Sequence, residues 1–181
     1  MKILKRLLIA ILGIIALFLI IAIFVKKEYV VKRDIVINKP KQDVFNYIKF
    51  LKNQNEYSKW SKMDANMKKE FKGTDATIGF ISSWDSENKD VGKGEQEIVK
   101  ITEGSRVDYE IRFKIPFEST SNAYMSTEEN GPNQTKVTWE FNGKMNYPMN
   151  LMLLFMDMDK EIGSDLNIGL NNLKGIQENY N

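Results

Sequence analysis

The hydrophobic positions of this chain change their rhythm along its length. From Leu7 to Val25 nineteen residues pass without a charge, and aliphatic side chains fill nearly every position. As a helix rising about 1.5 Å per residue this run is about 28 Å long, close to the roughly 30 Å of a bilayer's hydrocarbon core. No polar face exists along it, so a helix packed on a soluble core is the poorer reading. A cleaved signal peptide has a shorter apolar region and ends in a small-x-small site, whereas Ile23-Phe24-Val25 leads directly into Lys26-Lys27. The pattern predicts a short flank over residues 1–6, one transmembrane helix over 7–25, a basic linker over 26–29 and one folded domain over 30–178.

Beyond the linker the rhythm becomes two. Val31, Arg33, Ile35 and Ile37 alternate with Lys32, Asp34 and Val36 in a run that stops before Pro40, which predicts a strand. Pro40 suits the first turn of a helix. Val44, Phe45, Ile48 and Leu51 then share one helical face, with Lys41, Asp43, Lys49 and Lys52 opposite. A second short helix or turn is expected from Asn53 to Trp60. From Asn66 the period of two returns in five or six segments broken by Gly, Asn and Asp, as in consecutive antiparallel strands. Ile78, Phe80 and Trp84 share a face with Ser82, and a strand from Gln96 to Ile101 follows the Gly92-Lys93-Gly94 turn. Val107, Tyr109, Ile111 and Phe113 oppose Asp108, Glu110, Arg112 and Lys114, and Val137, Trp139 and Phe141 repeat the pattern after the loop from Glu129 to Asn133. After Pro148 helical spacing resumes in two parts that meet near Gly163-Ser164, with Ser164 as the cap of the second. Ile162, Leu166, Leu170, Leu173 and Ile176 form its stripe. Strand, helices, strands and a closing helix predict an α+β domain with one antiparallel sheet around a C-terminal helix. A curved sheet around a long helix leaves a space between them, and such spaces bind ligands.

Charge and composition narrow the chemistry. The chain has 26 Lys and Arg against 24 Asp and Glu, but the segment up to Tyr29 takes five of the basic residues and one acidic one, which leaves 21 basic and 23 acidic residues in the domain. A nearly neutral domain lacks the electrostatic footprint of a nucleic-acid binder. With neither cysteine nor histidine in the sequence, disulfides, thiolate nucleophiles, Cys/His zinc sites and Ser-His-Asp triads are excluded, and no metal or cofactor is expected. Basic residues flank the apolar run on both sides, so the charge rule nearly cancels. The expectation is a single-pass protein of the cell membrane; charge leaves the side of the domain open, and the outside is taken because a first apolar segment so near the start can act as a signal-anchor.

Several motifs together resemble one known family. They are Arg33-Asp34-Ile35-Val36-Ile37-Asn38-Lys39-Pro40 followed by Val44-Phe45, then Trp60-Ser61, Val91-Gly92-Lys93-Gly94, Thr135-Lys136-Val137-Thr138-Trp139 and Gly169-Leu170-Asn171-Asn172-Leu173-Lys174. In order and separation, from about Tyr29 to Gln177, they resemble the START-like or SRPBCC superfamily, and within it the membrane-anchored bacterial proteins that are polyketide cyclase/dehydrase-like. The resemblance implies the helix-grip fold and a deep apolar cavity. It does not choose a function, because fold alone does not.

The candidate site residues follow from that expectation. Met149, Met152 and Met156 have the spacing of one helical face, and thioethers adapt to irregular apolar shapes. Trp60, Trp84, Tyr109, Tyr124 and Trp139 combine an apolar body with one polar handle, which suits a cavity wall that orients a guest. Glu95 and Glu97 share one side of a strand with Arg112 nearby, and a carboxylate inside an apolar cavity acquires the raised proton affinity of a general acid or base. The expected role is therefore binding of a lipid, isoprenoid or polyketide-like molecule, with cyclase, dehydratase or hydrolase chemistry on the two glutamates as the alternative. The expected partners are that apolar small molecule and a lipid bilayer around Leu7 to Val25.

Overall fold

The computed structural model describes residues 2–179. Its first element is α1 (Lys2–Phe24), a helix long and apolar enough to cross a membrane by length and composition, a property that signal sequences share. Among its described residues Ala22 is the one that is buried. The helix therefore projects away from the rest of the molecule.

The domain opens with β1 (Glu28–Ile37), which begins three residues before the alternation that predicts it because Tyr29 continues the inward parity of Val31 and Ile37. Next comes α2 (Lys41–Ile48), with Pro40 at its N-cap rather than inside its first turn. Val44, Phe45 and Ile48 are fully buried, as their shared face requires. A short 3-10 turn at Leu51–Asn53 leads into two one-turn helices, α3 (Gln54–Tyr57) and α4 (Lys59–Lys62). The carboxylate of Asp75 holds this region from a distance, accepting the Leu51 and Lys52 backbone amides at 2.8 and 3.0 Å. These are donors that the start of a helical turn leaves unpaired.

Six further strands follow: β2 (Lys68–Lys72), β3 (Ile81–Asp85), β4 (Lys93–Thr102), β5 (Arg106–Ile115), β6 (Ser119–Glu129) and β7 (Thr135–Lys144). Together with β1 they form one antiparallel sheet in the order β1-β7-β6-β5-β4-β3-β2. Ile78 lies outside β3 and is exposed, while Phe80 enters the core just before the strand starts, so the face expected to run from Ile78 to Trp84 begins at Phe80.

A six-residue 3-10 helix (Met149–Leu154) precedes α5 (Met158–Asn179). The break between the two helical parts falls at 155–157, not at Gly163-Ser164. The helix passes through those residues without interruption, and Ser164 caps nothing. Gly163 is needed there for closeness, because its main chain lies against the Arg33 guanidinium. Arg33 in turn grips the start of α5, donating to both carboxylate oxygens of Asp159 at 2.8 and 2.9 Å and to its carbonyl at 2.8 Å. Leu166, Leu170 and Leu173 of the predicted stripe are buried against β1 and β7, with Ile162 and Ile176 at its ends half-buried. The outer margin of β1 is dressed by the same helix: Lys174 Nζ donates to the Val36 carbonyl, and the Asn38 amide donates to Glu178.

Candidate functional site

Register divides the sheet into two ends. Glu28 pairs with Lys144, Asn142 with Asn122, Phe113 with Ser119, and Ile115 with Lys93. The β5–β6 connection, the start of β4 and the end of β7 therefore all lie at the end where the chain arrives from α1. The opposite end carries Ile37, Thr135, Arg106 and Thr102. Along each inward-facing row, residues towards that opposite end are solid core: Ile98, Val107, Tyr109, Met125 and Val137 are fully buried under α2 and α5. The same rows continued towards the α1 end reach Gln96, Ile111, Phe113, Ser121 and Phe141, and here they line a cavity of about 600 Å³. That volume falls within the roughly 300–1,000 Å³ of small-molecule sites.

Aromatic edges build its wall. Trp84 meets Phe113 edge-on at 6.0 Å between centroids, Phe113 meets Phe141 at 6.4 Å, and Phe141 leans on Tyr29 at 6.2 Å. Across the cavity, Trp60 and Tyr57 both meet Trp139 edge-on. Gly94 makes the first of these contacts possible: a β-carbon there would fall 2.5 Å from Trp84 and 2.7 Å from the Arg112 carbonyl. Trp84 is fixed at its polar end by donating to the Val91 carbonyl at 3.3 Å.

A few polar groups interrupt the apolar lining. Ser58 and Ser121 are buried, and so is Gln54, whose Nε2 has no hydrogen-bond partner among the described residues. Lys69 is half-buried, donates at 3.3 Å to the Ser61 carbonyl, and is lowered in pKa by desolvation. The lining carboxylates among the described residues are Asp90 and Glu118, both exposed at the rim. This arrangement suits an apolar molecule carrying one hydrogen-bond acceptor at its inner end, since an apolar wall with few polar groups fixes orientation as well as affinity.

The sequence candidates separate cleanly in space. Trp60, Trp84, Trp139, Met149, Met152 and Met156 all lie in the cavity wall. Tyr109 does not; it sits one pair too far along its row, fully buried in the core, where desolvation raises its pKa well above the ordinary range. Tyr124 has the outward parity of β6. Its hydroxyl donates to Glu140 at 2.8 Å, and its ring carries the Arg106 guanidinium at 3.6 Å. Burial, followed by the Glu140 carboxylate, pushes its pKa up to about 12. Glu95 and Glu97 also face outward, on the convex side of the sheet. There Arg112 binds both at 2.7 Å and binds Glu110 as well, while Lys114 bonds Glu95 at 2.7 Å. The Lys114 and Arg112 contacts hold Glu95 below the ordinary carboxylate range, the opposite of what a buried general acid needs.

Missed by the sequence reading were Tyr29, Phe113 and Phe141, which carry the wall, and Gln54. Their alternation was visible; which end of the sheet stays unfilled was not.

Comparison with known proteins rests on shape alone. No family model matches the chain, and no curated protein is similar to it in sequence. Among solved structures, the Aha1 dimer from Colwellia psychrerythraea aligns over 83% of this chain and 97% of its own, with 13% identity and a TM-score of 0.57. Ara h 8.0201 aligns over 82% and 97%, with 12% identity and a TM-score of 0.57. The fold is the helix-grip. A third neighbour, the di-domain ARO/CYC StfQ from the steffimycin biosynthetic pathway, aligns over 84% of this chain and 51% of its own, with 8% identity and a TM-score of 0.61. Within this fold the apolar cavity is bordered by the last helix and by the methionine-rich segment that precedes it.

Proposed function

We propose that this chain is a membrane-tethered helix-grip domain, residues 30–178, that holds one apolar small molecule near the bilayer in which residues 7–25 anchor it. The observation that carries this reading is the cavity of about 600 Å³, walled by aromatic rings and methionines, at the end of the sheet where α1 joins. A lipid, isoprenoid or polyketide-like molecule matches such a wall in size and polarity. Gln54, Ser121 and Lys69 would meet its polar end.

The alternative of carboxylate catalysis loses support from the placement of Glu95 and Glu97 outside the cavity. Turnover would need an acid and a base within reach of the guest, and the lining carboxylates sit at the rim.

Native mass spectrometry of the full chain, released gently from nanodiscs, tests the proposal. A copurifying adduct, displaceable by an added fluorescent fatty acid, is expected. Absence of any adduct together with failure to take up the added probe would overturn it.

A further inference from the structure

The Met149–Leu154 helix serves two parts of the molecule at once. Its Asn150, fully buried, donates from Nδ2 to the Ala22 carbonyl at 2.7 Å and to the Val25 carbonyl at 2.9 Å. These are carbonyls that the end of α1 leaves unpaired. Its Met149 and Met152 line the cavity mouth, with Met156 just beyond. Before it, the Met145 amide donates to the Lys27 carbonyl; its last residue Leu154 and the following Phe155 are 55% and 79% exposed. Phe117, on the β5–β6 connection across the mouth, is 62% exposed and also lines the cavity. Leu154 and Phe155 lie in sequence between the lining residues Met152 and Met156, and apolar side chains this open at the α1 end of the sheet mark an interaction surface.

We infer that this collar of Phe117, Leu154 and Phe155 inserts into the lipid surface beside α1, so that the cavity mouth opens onto the bilayer rather than onto water. The inference rests on the tether proposed above and adds a second, separate contact with lipid. The bilayer is the occupant that geometry favours, because the segment forming the collar is the one bonded to the last turn of the apolar helix. Apolar burial supplies the attraction.

The absence of cysteine allows single labels in the full chain. Phe155→Cys, Phe117→Cys, Leu12→Cys and Glu103→Cys, each carrying a nitrobenzoxadiazole dye, are placed in phosphatidylcholine nanodiscs with lipids spin-labelled near the headgroup or deep in the acyl chain. The expected result is headgroup-level quenching at 155 and 117, deep quenching at 12 and none at 103, on the far β4–β5 turn. Quenching at 12 without quenching at 155 and 117 leaves the tether standing and overturns the collar. No quenching at 12 removes the tether and the collar with it, and quenching at 103 overturns the orientation. The Leu154→Asp/Phe155→Asp pair should at least halve quenching at 117 with an unchanged melting curve, since both side chains are already exposed; unchanged quenching would also sink the inference.

Discussion

Gly169 of α5 lies against the indole of Trp139, so closely that a β-carbon at Gly169 would come within 2.7 Å of Trp139 Cζ3. This contact sets how near the helix approaches the sheet beside the cavity, because Trp139 is also the ring on which Tyr57 and Trp60 rest. Helix propensity alone would favour alanine over glycine by about 1 kcal/mol. Overpacking a closed contact costs about 1–3 kcal/mol. Gly169→Ala is therefore expected to lower stability, read as a lower Tm of the full chain in detergent, with a changed tryptophan emission.

Ser121 stands on the cavity floor, 4% exposed, between the core half and the open half of β6. Ser121→Phe places a ring in the empty space. Affinity for a fluorescent fatty acid should fall at least tenfold, a change of about 1.4 kcal/mol, while Tm stays close to that of the parent. An unchanged affinity would mean that the probe binds elsewhere.

Gln54, in the cavity wall, has a buried amide whose Nε2 lacks a hydrogen-bond partner among the described residues. A buried donor without an acceptor costs about 1–3 kcal/mol. Gln54→Leu should raise Tm, by about 2–4 °C for each kcal/mol regained in a chain of this size, and should weaken binding of a carboxylate-headed probe more than that of a pure hydrocarbon. Isothermal titration with the two probes separates the effects.

Glu95 carries a pH signature of the convex face. Lys114 and Arg112 hold its carboxyl below the usual range, so the folded protein keeps it ionised where the unfolded chain takes up a proton. Its contribution is complete above the unfolded value of about 4.3 and is lost as pH falls through the lower folded value. The Tm gap between the parent and Glu95→Gln should therefore narrow below about pH 4.3. At neutral pH, Glu95→Gln and Glu97→Gln should leave probe binding unchanged, because neither side chain reaches the cavity.

Much of this architecture was legible because period-two alternation reports faces. Val107, Tyr109, Ile111 and Phe113 share one face, as their spacing predicts, and the closing stripe from Ile162 to Ile176 packs as its spacing predicts. Alternation has no information about position along a row, which is why Tyr109 falls in solid core while Phe113, two pairs on, walls the cavity. It has equally little about which face of a polar strand looks inward: Glu95 and Glu97 alternate with Gly94 and Gln96, and Gln96 is the one that lines the cavity. The methionines border the cavity, but not on the single helical face that their spacing predicts: the segment is a 3-10 helix that ends at Leu154, and Met156 lies beyond it. The helix break was misplaced because Gly163-Ser164 reads as punctuation locally, whereas a distant guanidinium explains the glycine.

The sheet's two margins differ in a way that matters for neighbours in a crowded plane. One, β1, is covered by α5 through Lys174 and Glu178. The other, β2, is five residues long and carries Lys68, Lys69 and Lys72. A short lysine-studded border repels a second copy of itself and offers little ladder for an extended peptide. Strand pairing between two copies of the domain is therefore disfavoured along both borders.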